Sequence, residues 1–138
     1  MLERGLLLRL RFELDLYINL RPFVSGPGRH NDGIDMVVIR ENTEGEYAQA
    51  GGRLYVGRPS EVAIQTAIYT RGGCERVMRF AFDLARRRNR PQKKVTSITK
   101  SNAQGYGMVM WDEVFRDVAR DYADVGTDFL LIDAACMA

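Results

Sequence analysis

Little in these 138 residues builds a covalent or metal framework. There are two cysteines, Cys74 and Cys136, with neither a CxxC motif nor metal-ligand spacing. That excludes a disulfide scaffold and a cysteine-built zinc site. Two unclustered thiols fit a reducing compartment, so we expect a cytoplasmic protein. The lone histidine, His30, has no ligand partner by spacing. No apolar run approaches the ~18–20 residues of a helical membrane span, and the first residues lack the apolar region and cleavage site of a signal peptide. We expect no membrane partner. Neither GxGxxG nor a Walker A motif occurs, and there is no internal repeat.

Lysine is scarce as well: Lys93, Lys94 and Lys100 against 17 arginines. Arginine is the side chain of bidentate carboxylate and phosphate recognition, although codon usage is the commoner cause of such a skew. The net charge of +2 does not demand an anionic partner. The basic run ARRRNRPQKK, 85–94, starts in the last turn of a predicted helix, where cations suit the helix dipole. It has no interleaved aromatics for base stacking, and we expect no nucleic-acid partner. What the chain does have is 46% hydrophobic and 28% charged residues, enough for one globular core.

Residues 6–17 read as a short helix running into an extended piece, 17–23. SGPGRHNDG, 25–33, is a loop. IDMVVIR, 34–40, is β-branched and reads as a buried strand. In YAQAGGRLYVGR two extended pieces flank Gly51-Gly52, a dipeptide that signals a hairpin. VAIQTAIYT, 62–70, is a further strand, so a protruding β-arm is expected over about 46–69. Cys74, Val77, Met78, Ala81, Phe82 and Ala85 recur at helical spacing, as do Trp111, Val114, Phe115, Val118, Ala119 and Tyr122. KKVTSITKSN between them is a strand ending in lysine, and a last strand, 129–132, leads to Asp133. The fold class is therefore α/β, a mixed β-sheet flanked by helices.

Four features carry candidate chemistry. Arg11, Arg21 and Arg40 lie in or near extended segments; three guanidinium forks on one point would clamp a dicarboxylate, though on spacing alone scattered surface arginines are commoner. Lys100 and Asp133 both follow strands, where open α/β sheets place ligands. A desolvated lysine can serve as a base and an aspartate can ligate Mg²⁺ or Mn²⁺, but a solvated lysine is the commoner case and one Asp is not a site. Tyr47 follows the polar ENTEGE loop; it is an acid if cations surround it and a packing residue otherwise.

Taken together, the strings LLLRLRFELDLYINLRP, DMVVIRENTEGEY, YTRGGCERVMRFAFDLARRR, TSITKSN, WDEVFRDVARDYADV and LIDAACM resemble the β-decarboxylating dehydrogenases of isocitrate, 3-isopropylmalate, D-malate and tartrate. They follow the family's order over almost the whole chain, and GGRLYVGRPSEVAIQTAIYTR is most similar to the D-malate/tartrate branch. The resemblance implies an NAD-dependent oxidoreductase that uses Mg²⁺ or Mn²⁺ to decarboxylate a 2-hydroxy dicarboxylate. It implies that Arg11, Arg21 and Arg40 bind the carboxylates. Lys100 takes part in proton transfer from the 2-hydroxyl, and Tyr47 helps to protonate the enolate. Asn102 lies near the nicotinamide and Asp133 binds metal. It also implies a homodimer in which the lysine and the aspartate serve the neighbouring subunit's site.

The family's opening cofactor-domain segment is absent from these residues. So are its further metal aspartates and its adenine-binding segment. We therefore expect a central portion of an isopropylmalate dehydrogenase-like fold, mostly its smaller domain, inactive alone. The alternative expectation is a catalytically empty dimerisation module, paired through the β-arm and a face of Trp111, Phe115 and Tyr122, a stripe that reads equally well as internal core.

Overall fold

The computed structural model describes residues 3–26, 28, 33–88 and 90–137; His30 lies outside them. The chain divides into two compact units, one ending at Thr43 and the other beginning at Glu44.

The first unit opens with a π-helical turn, Glu3–Leu7, that continues as helix α1, Leu8–Glu13. Asp15, with φ 45°, turns the chain into strand β1, Ile18–Val24. β1 pairs antiparallel with β2, Asp35–Glu41. Asn42 Nδ2 donates to Leu16 O at 3.0 Å and its amide to Tyr17 O at 2.9 Å, closing the base of the ladder. The sequence led us to expect a buried strand over 34–40. The strand is there but half-exposed, with Met36 and Val38 open to solvent. Within this unit it forms a two-stranded ladder with β1, and a single ladder leaves both of its faces open.

The second unit begins with a long antiparallel hairpin, β3, Gly45–Leu54, and β4, Val62–Ile68. Gly51-Gly52 is not its turn, contrary to expectation. Both glycines lie inside β3, and the chain reverses over 55–61, where Gly57 takes a φ of 78° and the Glu61 carboxylate accepts from its amide at 3.0 Å. Glu61 also pairs with Arg53 across the tip. Gly51 is required for a different reason: a Cβ there would strike the carbonyl of Ile64 on the opposite strand.

Helix α2, Arg71–Arg87, follows, then strand β5, Lys94–Thr99, helix α3, Gly107–Ala119, strand β6, Gly126–Leu131, and a short helix α4, Ile132–Ala135. β5 and β6 are parallel, with α3 as the crossover, the arrangement that parallel strands need. Strand directions are thus mixed and the class is α/β, its strands set in three two-stranded ladders.

Both predicted helical stripes face inward. Cys74, Val77, Met78 and Phe82 of α2 are buried with Val114, Phe115 and Val118 of α3. The Phe82 ring, wholly inaccessible, stacks on Tyr122 at 4.9 Å and tilts against Phe115 at 5.4 Å. Phe115 meets Phe129 edge-on at 4.9 Å, a favoured aromatic geometry. Trp111 Nε1 donates to the buried Ser97 Oγ at 3.0 Å. Phe115 and Tyr122 are therefore core residues, and the expected interface face of Trp111, Phe115 and Tyr122 is not a surface. The basic run meets carboxylates: Arg86 pairs with Asp124, and Lys94 with Asp128 at 2.8 Å. Arg86 holds Asp124, and Lys94 holds Asp128, below the usual aspartate range.

Candidate active site

Lys100 follows β5 directly, and Asp133 lies two residues beyond the end of β6 in the first turn of α4. Because the two strands are parallel and in register, Thr99 opposite Leu131, their carboxyl ends bring these side chains together. Lys100 Nζ donates to Asp133 Oδ2. The lysine is the more enclosed of the two, its side chain 31% exposed against 62% for the aspartate. The turn after Lys100 is tight: its carbonyl accepts from the amides of Ala103 and Gln104 at 3.0 and 2.9 Å. Asn102 stands exposed on that turn.

In the first unit, Arg21 and Arg40 share a face of the β1–β2 ladder. Arg40 lies opposite Asn19, and Arg21 is two residues further along β1 on the same side. Arg21 Nε donates to Asn19 Oδ1 at 3.0 Å. Arg11 is partly buried in the last turn of α1. Tyr47 belongs to the second unit, on β3, where it is 41% exposed.

Between Gly45 and Ala50 the hairpin loses its register. Gly45 pairs with Ile68 and Ala50 with Thr66, so β3 takes five steps where β4 takes two. Residues 46–49, Tyr47 included, form an enlarged bulge in which Gln49 adopts a φ of 55°. At its root the Glu44 carboxylate accepts from the Thr70 amide at 2.8 Å and from the Thr70 hydroxyl. Thr70 is the N-cap of α2, its Oγ1 accepting from the Gly73 amide at 3.0 Å. Gly73 leaves the carboxylate its space, since a Cβ there would meet Glu44. Tyr69 packs beside Gly45 and over Gly107 at the start of α3. Burial, then the nearby Glu46 carboxylate, then Cys74, push its phenol above the ordinary tyrosine value. Sequence reasoning missed Glu44 and Thr70; the available signal was a threonine three residues before a glycine at a helix start.

Residues 2–138 match the family described as isocitrate/isopropylmalate dehydrogenase. The chain belongs to that family. It is 50% identical over 135 residues to a probable tartrate dehydrogenase/decarboxylase of Bacillus subtilis, covering 94% of this chain and 37% of that protein. It is 46% identical over 139 residues to a 3-isopropylmalate dehydrogenase of Corynebacterium glutamicum, covering 97% and 40%. Among solved structures, isocitrate dehydrogenase from Methylococcus capsulatus superposes with a TM-score of 0.85 at 37% identity, over 97% of this chain and 40% of that one. The chain thus spans about two-fifths of the length of the relatives it matches. The family is one of dehydrogenases. Among the described residues no helix is long and apolar enough to cross a membrane.

The groups of the described residues do not by themselves provide for the divalent metal and the dinucleotide that the resemblance implies. Among the described residues no three His, Cys, Asp or Glu side chains stand together, and Asp133 is engaged with Lys100. One carboxylate leaves Mg²⁺ largely hydrated. For a dinucleotide the sequence has no glycine-rich phosphate cradle, and Asn102 is a single exposed side chain.

Proposed function

We propose that the full-length protein is an NAD- and Mg²⁺- or Mn²⁺-dependent oxidative decarboxylase of a D-malate-like 2-hydroxy acid, with D-malate and tartrate as first substrates and 3-isopropylmalate as the third. The observation that carries the reading is the Lys100–Asp133 pair beyond the carboxyl ends of parallel β5 and β6, the place where open α/β sheets hold ligands. Similarity to a probable tartrate dehydrogenase/decarboxylase supports the substrate class.

In this reading Arg11, Arg21 and Arg40 hold the substrate carboxylates by charge-assisted bonds. Lys100 accepts the proton leaving the 2-hydroxyl, directly or through one water, and must release a proton of its own first. Tyr47 delivers a proton to the carbon that has lost CO₂. Asp133 contributes one metal ligand and Asn102 a contact to the nicotinamide. The protein acts as a homodimer, for which the exposed apolar side chains of the hairpin, Leu54, Val62 and Ile64 among them, supply contact surface.

Mixing the full-length protein with D-malate, NAD and Mn²⁺ should produce reduced cofactor, and Lys100→Ala should abolish it. No turnover with D-malate, tartrate or 3-isopropylmalate would overturn the proposal. The 138-residue chain by itself should be inactive in the same assay, since its described residues gather no three metal-ligating side chains and its sequence has no glycine-rich cofactor cradle.

A further inference from the structure

We propose that the register break in the hairpin is a presentation device for Tyr47, and that Glu44, Thr70 and Gln65 are its positioning residues. The inference rests on the reading above only in giving Tyr47 a proton to deliver. A regular β3–β4 ladder would fix residue 47 in the pleat, opposite a β4 residue. Instead three extra residues are inserted on β3 between the Gly45–Ile68 and Ala50–Thr66 pairs, which lifts 46–49 out of the ladder and re-aims their side chains. A bulge of this length departs from the regular pairing of the ladder, and side-chain hydrogen bonds at and below it help to hold one shape.

Two clamps act there. Below the bulge, the Glu44 carboxylate takes two hydrogen bonds from Thr70, one at 2.8 Å from its amide. Thr70 is in turn tied to the first turn of α2 through Gly73. The N-terminus of α2, a helix of 17 residues, favours a carboxylate beside it. Within the bulge, Gln65 Nε2 of β4 reaches across to the carbonyl of Glu46 at 3.0 Å, the residue just before Tyr47. The second clamp therefore holds the peptide that sets where the Tyr47 side chain starts. Gly45, with φ 71° and Tyr69 against it, lets β3 enter the bulge. None of these residues needs to touch substrate; each acts through Tyr47.

The test uses the full-length protein with Gln65→Leu, Glu44→Gln, Thr70→Val, Thr70→Ser and Tyr47→Phe. Misplacing a reacting group by about 1 Å costs on the order of 100-fold in rate. We therefore expect Gln65→Leu and Glu44→Gln to lower kcat ~10- to 100-fold, with KM for the hydroxy acid within about twofold of wild type, the pattern that Tyr47→Phe should also give. Thr70→Ser, which keeps the amide and the hydroxyl, should restore most of what Thr70→Val loses. Amide hydrogen exchange over 45–50 should quicken in Gln65→Leu, whose change is remote from α2, while α2 exchange stays put. Unchanged exchange over 45–50 overturns the proposal, and so does faster exchange with kcat intact. If the wild-type protein turns over no acid, the functional reading fails by itself. The ¹⁹F signal of 3-fluorotyrosine at position 47 then decides: a shift in Gln65→Leu and Glu44→Gln upholds the clamp, and an unmoved signal overturns it.

Discussion

Tyr122 shows how much of this protein is decided by single side chains. Its ring closes the Phe82 cluster and its hydroxyl donates to Asp83 Oδ1 at 2.9 Å. Burial first, and the Asp83 carboxylate second, push its phenol above the ordinary value of about 10. The folded protein therefore keeps a proton that the unfolded chain gives up as pH passes about 10. The resulting stability is fully present below that value and is lost as pH rises through the higher folded value. Urea unfolding between pH 8 and 11 should show a falling alkaline limb, shallower in Tyr122→Phe. The same variant should lose about 1 kcal/mol at neutral pH, the net worth of one hydrogen bond. At the same scale, the candidate site was legible where chemistry-bearing residues end strands. Lys100 and Asp133 could be picked out because parallel pairing brings strand ends together. Thr70 could have been found as a helix cap, but Glu44 and Gln65 could not, since they act across a register break that no local pattern announces.

Among the elements, the helices were the most readable. The apolar stripes of α2 and α3 recur at 3.6-residue spacing because each helix buries one face against its neighbour and β5. The hairpin was readable as an element but not in its turn. Gly51-Gly52 has the composition of a tight turn, yet Gly51 answers to the carbonyl of Ile64 across the ladder. Local sequence cannot distinguish a glycine needed for a turn from one needed for close approach. The two glycines should therefore respond differently. Gly51→Ala, with φ 149° and a backbone clash, should destabilise the hairpin by roughly 1–3 kcal/mol. Gly52→Ala meets nothing within 4 Å and should stay within about 0.5 kcal/mol. Loss of the cross-strand contacts around Gly51 and Gln65 in NMR spectra of the first variant alone would bear this out. β2 was misread as buried for a related reason: a run of β-branched residues reports strand propensity, while burial depends on what covers the ladder.

Over the whole molecule, stability is unevenly shared. The nine buried hydrophobic side chains among the described residues all fall between Cys74 and Val125. The first unit has none, and Leu20, Phe23, Met36 and Val38 of its ladder are exposed. An isolated two-stranded ladder is marginal in water, so opening of the first 43 residues should not require the second unit to unfold. The charges reinforce the contrast. Arg71, Arg79 and Arg86 along α2 each meet a carboxylate of α3 or of the segment after it, and these surface pairs add modestly to a packed core. The consequence is one of lifetime. A protease engages backbone that opens, and its cutting tracks how often the segment does so. Limited digestion of this chain should clip it before Thr43 and leave a resistant piece starting near Glu44, identifiable by mass. That surviving piece would retain Lys100, Asp133 and Tyr47 and have lost every arginine assigned to the substrate, so a nicked preparation would look folded while lacking the means to grip its acid.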